Sequence, residues 1–195
     1  MPVDPLALSL VLHPSSVLRQ RAETVDVEDP LVHEVARRMI QIMYQYNGAG
    51  LAAPQVGLAW RLFVTRPSQQ VIDEHEHSRS NKHTPKTDTT PIPPNTEGVV
   101  WINPSLEVVG DQYDIDEEGC LSLPEIRGRI RRSVEVTISG YDIKGTFAEM
   151  TSDQFIARVW QHEIDHLDGI LIIDKMSAMD RLVCRRQIRE LERAT

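Results

Sequence analysis

Two histidines four residues apart place the strongest constraint on how this chain can fold. His162 and His166 lie in WQHEIDHLDG, where apolar residues recur at the three- and four-residue spacing of a half-buried helix. The spacing predicts a helix over 152–166 that ends at Gly169. Residues four apart lie one turn above each other, so both imidazoles can reach one divalent ion. A catalytic ion would also need a third protein ligand and an open coordination position.

Two further residues complete the chemistry that this helix indicates. Glu163 follows His162 and is the natural general base, because a carboxylate there can take a proton from water while an ion polarises the substrate. The alternative is a chance H-E-x-x-H match on an amphipathic helix. Cys120, in DEEGCLSLPE, is the best candidate for the third ligand. Its alternative role is that of a small buried apolar residue, and the H-E-x-x-H segment favours the ligand.

Composition predicts a single globular domain over residues 1–195. A chain of this length with 41% hydrophobic residues can bury a substantial core, and two cysteines are too few for a disulfide framework. No apolar run approaches the roughly 18 residues of a membrane span, and Asp4 argues against a signal or transit peptide. We therefore expect a cytoplasmic protein without membrane contact. A net charge of −8 excludes a surface that binds nucleic acid throughout, and no DNA partner is expected.

Turn residues and apolar patterns predict the remaining elements. A helix is expected over 29–46, with Asp29 as its N-cap, Pro30 in its first position and Gly48 as its terminator. A last helix begins at Ser177. Short β-rich runs are expected at 61–65, 99–103, 134–141 and 145–150. The predicted fold class is α+β, with small antiparallel sheets packed around the metal-binding helix and a C-terminal helix outside.

Residues 67–97 interrupt this pattern with five prolines and almost no large apolar side chains. Such a segment cannot recover its ordering entropy through burial, so we predict a long flexible insertion that joins two strands. His75, His77 and His83 lie in it. Their spacing closes no metal site, and we predict that they are solvated.

Three separated segments together resemble the peptide deformylase family. They are GAGLAAPQ at 48–55, EGCLS at 118–122 and QHEIDH at 161–166, in the family's order and without internal gaps. The resemblance extends to HPSSVLR at 13–19 and covers most of residues 8–175 apart from the insertion. It implies a hydrolase that removes the formyl group from N-formylmethionine at the start of new polypeptides and releases formate.

The resemblance also implies a metal site. Cys120, His162 and His166 match the family's metal ligands, and Glu163 matches its catalytic carboxylate. One divalent ion is implied, and the family favours iron(II) in the cell. Histidine and thiolate ligands also accept zinc, nickel and cobalt, so purified protein can hold another ion.

Other motif residues are matched to the substrate. Gln55 and the backbone N–H of Leu121 match the donors that hold the formyl oxygen as it gains charge. Gly50 matches the residue whose carbonyl accepts from the substrate N–H, although the glycines of this motif can also simply shape a turn after the first helix. Phe155 and Val159 form the expected apolar wall for methionine, with core packing as an equal alternative.

Several charged residues near the motifs are expected to support the site. Glu118 can pair with a basic residue, and the resemblance indicates Arg132. Asp165 is either a carboxylate that orients a ligand histidine or an exposed surface residue. Arg158 and Trp160 lie beside the expected methionine pocket and depart from the family's common pattern.

Two other functions fit parts of the sequence. A general zinc endopeptidase also uses H-E-x-x-H, but the Cys120 thiolate would donate more charge to the ion than an imidazole or carboxylate and weaken it as a Lewis acid. A non-catalytic module would hold a structural metal or use Cys120 to sense oxidants. A structural site normally has a fourth protein ligand, and no matching motif supplies one.

The C-terminal segment indicates a second partner besides nascent N-formylmethionyl peptides. Residues 177–195 contain five arginines against three acidic residues, which reverses the sign of the net charge. Some bacterial members of the resembled family dock near the ribosomal exit tunnel through a C-terminal helix, and arginine contacts to phosphate would suit such docking. The alternative is an amphipathic helix whose arginines are solvated or paired with acidic residues.

Overall fold

The computed structural model describes residues 3–71, 73 and 97–194, which contain five strands, five α-helices with bounds given below, three short 3-10 helices and helical residues at 68–71 and 73. The predicted flexible insertion at 67–97 is wrong for its first residues, because 68–71 are helical and Val71 is buried against the apolar cluster that contains Trp101. Most of the remainder lies outside the described residues, including His75, His77 and His83. The strands are β1 Gly50–Ala52, β2 Leu62–Thr65, β3 Val99–Cys120, β4 Leu123–Tyr141 and β5 Phe147–Ser152. The helices are α1 Pro30–Gln45, α2 Phe155–Leu167, α3 Ile172–Lys175, α4 Ala178–Val183 and α5 Arg185–Ala194.

The five strands form one antiparallel sheet in the order β1-β2-β3-β4-β5. The predicted α+β class is confirmed, and the strands are continuous in a single sheet. β3 and β4 extend far beyond the predicted runs at 99–103 and 134–141, as a hairpin that turns between Cys120 and Leu123. The extension of β3 is mostly exposed and polar, so its apolar pattern is too weak to indicate a strand.

Helices α1 and α2 pack on opposite faces of this sheet. Side chains alternate along a strand, so Leu62 and Val64 of β2 join the apolar cluster beneath α1. Phe63 points the other way, into the cluster beneath α2, where Trp101 and Trp160 make an edge-to-face contact with ring centroids 6.2 Å apart. Both faces of β2 are therefore buried, which holds the neighbouring strand β1 close to α2.

Capping residues explain where α1 begins and ends. Asp29 accepts from the backbone N–H of Leu31 at 2.9 Å, and Pro30 occupies the first turn, as predicted. The predicted terminator is wrong by one residue. Asn47 adopts the left-handed conformation with φ 55°, and Gly48 follows it with a bond from its N–H to the carbonyl of Met43 at 2.8 Å. Asparagine tolerates this conformation, so it can end a helix as glycine does.

Helix α2 begins three residues later than predicted because β5 continues to Ser152. It ends as predicted at Gly169, which has φ 75°, and the N–H of Ile170 bonds to the carbonyl of Asp165 at 2.8 Å. This end brings the last turn of α2 against the N-terminal segment, where the N–H of Ala22 bonds to the carbonyl of Leu167 at 2.8 Å.

The C-terminal helices pack beside the long hairpin. Ser177 caps α4 as predicted, accepting from the N–H of Asp180 at 3.0 Å. The predicted single helix is divided at Cys184, which is buried and donates to the carbonyl of Arg127 on β4 at 3.2 Å. None of the described helices is long and apolar enough to cross a membrane.

Replacing Gly169 by alanine should destabilise the fold more than the same change at Gly110. Both glycines have positive φ, 75° and 72°, so each change costs about 1–2 kcal/mol of backbone strain. A Cβ at Gly169 would also lie 2.7 Å from the carbonyl oxygen of Arg19, whereas one at Gly110 meets no described atom within 4 Å. We expect an additional loss of about 1–3 kcal/mol in Gly169→Ala, measured by urea unfolding. Equal losses would contradict the role of this close contact.

Candidate active site

Three side chains that can bind a metal ion converge from two elements. Cys120 is the last residue of β3, and His162 and His166 lie one turn apart on α2. One ligand atom from each residue lies within 4.8 Å of the other two, and Cys120 Sγ is 3.2 Å from His166 Nε2. The structure therefore brings together the three residues that the sequence predicts as ligands.

The chemistry of these donors fits a divalent transition-metal ion. His162 donates from Nδ1 to Glu118 Oε2 at 3.0 Å, which leaves its Nε2 for the ion. His166 is buried and Cys120 is half-buried, so both donors are largely shielded from water. Cys120, His162 and His166 would hold such an ion with three protein donors, and a catalytic site also needs a position for water or substrate.

Glu163 lies beside these donors and packs against Gly50. A Cβ built at Gly50 would be 2.5 Å from Glu163 Oε1, so a side chain there would displace the carboxylate. Glu163 Oε2 is buried and has no hydrogen-bond partner within the described part of the chain. Burial raises the pKa of Glu163 to about 7, although the nearby charge of His162 acts in the opposite direction. A carboxyl group in this state can take up and release a proton near neutral pH.

Gln55 points its amide nitrogen at the same site. It lies in the short 3-10 helix Ala53–Val56, and its Oε1 accepts from the N–H of Ala52 at 2.8 Å. This bond orients the side chain, and its Nε2 lies 3.6 Å from Cys120 Sγ. Leu121 occupies the turn directly after Cys120, where its Cδ1 lies 2.8 Å from the position of a Cβ on Gly48. The first and second motifs are thus in contact.

The N-terminal segment connects the first and second motifs through backbone hydrogen bonds. The sequence does not predict this role. The N–H of Val11 bonds to the carbonyl of Gln55 at 2.8 Å, and that of His13 bonds to the carbonyl of Ser122 at 2.9 Å. The resemblance to the family includes HPSSVLR at 13–19, but no side chain in this segment indicates that its backbone bonds to the motifs. These bonds fix the N-terminal segment to the residues around Gln55 and Cys120, next to the candidate metal ligands.

The predicted pair of Glu118 and Arg132 is present and buried. Arg132 donates from Nε and Nη2 to the two oxygens of Glu118, each at 2.8 Å. Burial alone would raise the pKa of Glu118, but hydrogen bonds from Arg132 and His162 hold it well below its usual range. Glu118 therefore remains a carboxylate that fixes the imidazole ring of His162.

The hypothesis that Asp165 orients a ligand histidine is wrong. Its carboxylate accepts from Arg132 on β4 and from Lys175 Nζ of α3, the latter at 2.6 Å. The reason is that two basic side chains from neighbouring elements reach Asp165. It contributes to the site through Arg132, which in turn holds Glu118.

The residues predicted around a methionine pocket make clear packing contacts. Val159 is buried in the apolar cluster beneath α2, and Phe155 packs at its border. These contacts agree with the core-packing alternative, and the role of both residues as a substrate wall stays a prediction. Trp160 contacts Trp101, and the guanidinium of Arg158 bonds to the β3–β4 hairpin.

The fold and this cluster together define a hydrolase of the H-E-x-x-H class, and comparison with known proteins specifies its family. The family model described as Polypeptide deformylase matches residues 7–182. A peptide deformylase of Thermotoga petrophila is 36% identical over 91% of this chain and 92% of its own length. That of Acidobacterium capsulatum is 38% identical over 95% of both chains. The chain belongs to the peptide deformylase family, which confirms the resemblance seen in its three motifs.

Solved structures agree with this assignment. A crystal structure of peptide deformylase from Plasmodium falciparum is 33% identical and has a TM-score of 0.77, covering 95% of this chain and 96% of that chain. A plant peptide deformylase structure has a TM-score of 0.80 at 28% identity, covering 100% of this chain and 93% of that chain. The similarity therefore includes both the fold and the sequence over nearly the whole length.

Replacing Gly50 by alanine should impair the site while leaving its metal ligands in place. The change keeps the backbone carbonyl but adds a methyl group where Glu163 Oε1 now lies. We expect formate release from a formyl-methionyl peptide to fall at least about 100-fold, the lower range for loss of a general base. Metal content should remain at the wild-type level. Gly119→Ala is the control, because its Cβ would only touch the Arg127 side chain at 3.7 Å; wild-type turnover in Gly50→Ala would contradict the steric argument.

Proposed function

We propose that this protein hydrolyses the formamide bond of N-formylmethionine at the start of nascent polypeptides and releases formate. Peptide deformylases remove the N-formyl group from new polypeptides, and the chain belongs to that family. The observation that supports the proposal most directly is the position of Glu163. Glu163 follows the candidate ligand His162 on α2, and one of its buried oxygens has no hydrogen-bond partner in the described part of the chain, so a group that can transfer protons adjoins a set of possible metal donors.

The proposed cofactor is one divalent ion bound by Cys120, His162 and His166. Such an ion supplies Lewis-acid polarisation of a carbonyl group and makes water more acidic. Family membership favours iron(II) in the cell, and the donor set also accepts zinc, nickel or cobalt. The thiolate of Cys120 would donate more charge to the ion than an imidazole or a carboxylate and would weaken the ion as a Lewis acid. For this reason we prefer formamide hydrolysis over general endopeptidase activity.

Glu163 is the proposed proton carrier. Hydrolysis of a formamide removes a proton from water as it attacks the carbonyl carbon, and it delivers a proton to the leaving amine as the C–N bond breaks. Glu163 can perform both steps because one of its oxygens has no partner in the described part of the chain and its carboxyl group adjoins the substrate-facing Gly50.

Two donors are proposed to hold the formyl oxygen as its negative charge grows. The Gln55 amide is held by the N–H of Ala52 before substrate arrives, so little reorganisation is needed. The backbone N–H of Leu121 is the second donor, from the turn that follows Cys120. Preorganised donors stabilise a tetrahedral oxyanion more than the planar substrate.

The peptide part of the substrate is proposed to lie along β1. This strand is at the edge of the described sheet and pairs with β2 alone, so an extended peptide can add to it through backbone hydrogen bonds. The carbonyl of Gly50 would then accept from the substrate N–H. Phe155 and Val159 are proposed to contact the methionine side chain.

The proposed location is the cytoplasm, where nascent formylated chains emerge, and α5 is the proposed ribosome contact. Its arginines at 185, 186, 189 and 193 are exposed, and together with Glu190 and with Leu182 and Val183 of α4 they line a surface depression of about 370 Å³. Arg186 pairs with Glu190 at 2.8 Å, which supports the alternative of a partly self-neutralised helix. Most of the positive charge nevertheless faces outward.

The decisive test of the reaction is a comparison of substrates. We expect formate release from formyl-Met-Ala-Ser and no cleavage of the acetylated peptide or of an internal peptide bond. The acetyl group adds a methyl at the reacting carbon, and an internal bond has no formyl group to release. Cleavage of the internal peptide at a comparable rate would instead establish an endopeptidase.

Substitutions of Glu163 and Cys120 should separate proton transfer from metal binding. Glu163→Ala should keep its metal but lose turnover by about 10²- to 10⁴-fold, because the carboxylate moves protons without being a ligand. Cys120→Ala should lose both metal and turnover. Bound metal and formate release are measured in the same preparations, and an active Glu163→Ala protein would refute the assigned role.

Charge reversal on α5 should test the ribosome contact. Changing Arg185, Arg186 and Arg189 to glutamate should strongly reduce co-sedimentation with ribosomes at low salt, because arginine–phosphate contacts are lost. Hydrolysis of a free formyl-tripeptide should be unchanged. Co-sedimentation that is unaffected by the substitutions and by salt, or absent for the wild type, would contradict the docking proposal.

A further inference from the structure

Arg158 and His162 both contact the carboxylate of Glu118. They lie four residues apart on α2 and therefore point from the same face of the helix. Arg158 Nη1 donates to Glu118 Oε1 at 2.7 Å, and His162 Nδ1 donates to Oε2 at 3.0 Å. Glu118 lies two residues before Cys120 on β3. One carboxylate thus connects the helix of the two histidine ligands to the strand of the cysteine ligand.

Arg158 also holds the β3–β4 hairpin at two more points. Its Nη1 donates to the carbonyl of Ile130 on β4 at 3.0 Å, and its Nη2 donates to the carboxylate of Asp114. Asp114 and Glu118 are four residues apart on β3, so both side chains lie on the face of the strand that meets α2. A planar guanidinium with five N–H donors can span these acceptors, whereas the single ammonium of lysine cannot.

The contacts of Arg158 differ in function from those of Arg132. Both arginines donate to Glu118, and their side chains are only 6% and 2% exposed. Arg132 makes the two-pronged pair that neutralises Glu118, and it continues to Asp165 within the site. If Arg158 is removed, Glu118 keeps Arg132 and His162 as partners. Removal of Arg158 would then weaken the connection between α2 and the hairpin, while the charge of Glu118 would stay neutralised by Arg132.

We propose that Arg158 is a positioning residue that sets the distance between Cys120 and the two histidines of α2. Its three contacts fix the hairpin against the helix, one turn before His162. This inference rests on the proposed metal site. It states that a side chain that is not itself a ligand controls how the ligands are placed. Substitution of Arg158 should therefore change how a bound ion is held while the protein remains folded.

Cobalt(II) is the probe for this inference, because its absorption spectrum reports the ligand geometry and the thiolate bond. Arg158→Lys and Arg158→Met are loaded with cobalt, and the rate of metal loss to a chelator is measured beside the spectrum. We expect the affinity of both variants for cobalt to fall about 10- to 100-fold, the range for substitutions of residues that orient metal ligands, and cobalt to be lost to the chelator correspondingly faster. The spectra should shift in both variants, because lysine restores the charge but not the three-point contact.

Arg61→Met is the matched control. Arg61 is also mostly buried, with a side chain 18% exposed, and it pairs with Asp168 at the end of α2 and with the carbonyl of Pro104. It has no contact with Glu118 among the described residues. The control should keep the wild-type cobalt spectrum and retention. If Arg61→Met loses cobalt as readily as Arg158→Met, a general loosening of α2 is the cause and the inference is overturned.

A second pair of variants keeps the test decisive if Arg158→Met does not fold. Asp114 and Glu117 both lie on β3 with side chains 58% and 60% exposed, but Glu117 faces away and pairs with Arg127 at 3.6 Å. Asp114→Ala removes one contact of Arg158 and should speed cobalt loss, whereas Glu117→Ala should not. Wild-type retention in Asp114→Ala, or wild-type spectra in folded Arg158 variants, overturns the inference. Wild-type protein that shows no thiolate–cobalt band would refute the proposed metal site itself.

Discussion

The carboxylate of Glu118 is the group on which the rest of the site depends. It is buried and accepts four hydrogen bonds, from Arg132, Arg158 and His162. Burial of an unpaired carboxylate would be costly, and removal of one partner from such a cluster typically costs about 3–5 kcal/mol. Here the same charge pairs with Arg158 of α2 and with Arg132 of the hairpin, and it orients the imidazole of His162, a candidate metal ligand. Folding and metal-site geometry are consequently coupled through one side chain.

The sheet places this cluster where three motifs can meet. β1 brings Gly50 against Glu163, the end of β3 brings Cys120, and α2 supplies His162 and His166. The lack of a side chain at residue 50 makes room for the carboxylate of Glu163, 113 positions later in the chain. This contact gives the glycine of the first motif a physical reason that is independent of turn formation.

Local interactions account for the elements that sequence patterns predicted well. Asp29, Ser177 and Gly169 act at helix ends through bonds to residues two or three positions away, and Pro30 acts through its fixed φ in the first turn, so these roles can be inferred from spacing alone. The length of the β3–β4 hairpin could not be inferred, because its exposed half is polar and is stabilised by pairing between strands. Asn47 replaced Gly48 as terminator because two residue types tolerate the same left-handed conformation.

The sequence by itself determined the chemistry of the candidate site. An H-E-x-x-H helix, a cysteine in EGCLS and the order of three motifs were sufficient to identify the family and to predict the ligand types, because helical periodicity places His162 and His166 on one face. The resemblance also predicted the pair of Glu118 and Arg132, but only the tertiary structure decided how the other charges join that pair. The side chain of Asp165 accepts hydrogen bonds from Arg132 and Lys175 and, within the described residues, none from a histidine. Glu118 instead accepts from His162, and Arg158 also donates to Glu118. Pairing among buried charges depends on distances between elements far apart in the chain, and those distances exist only once the sheet and helices have packed.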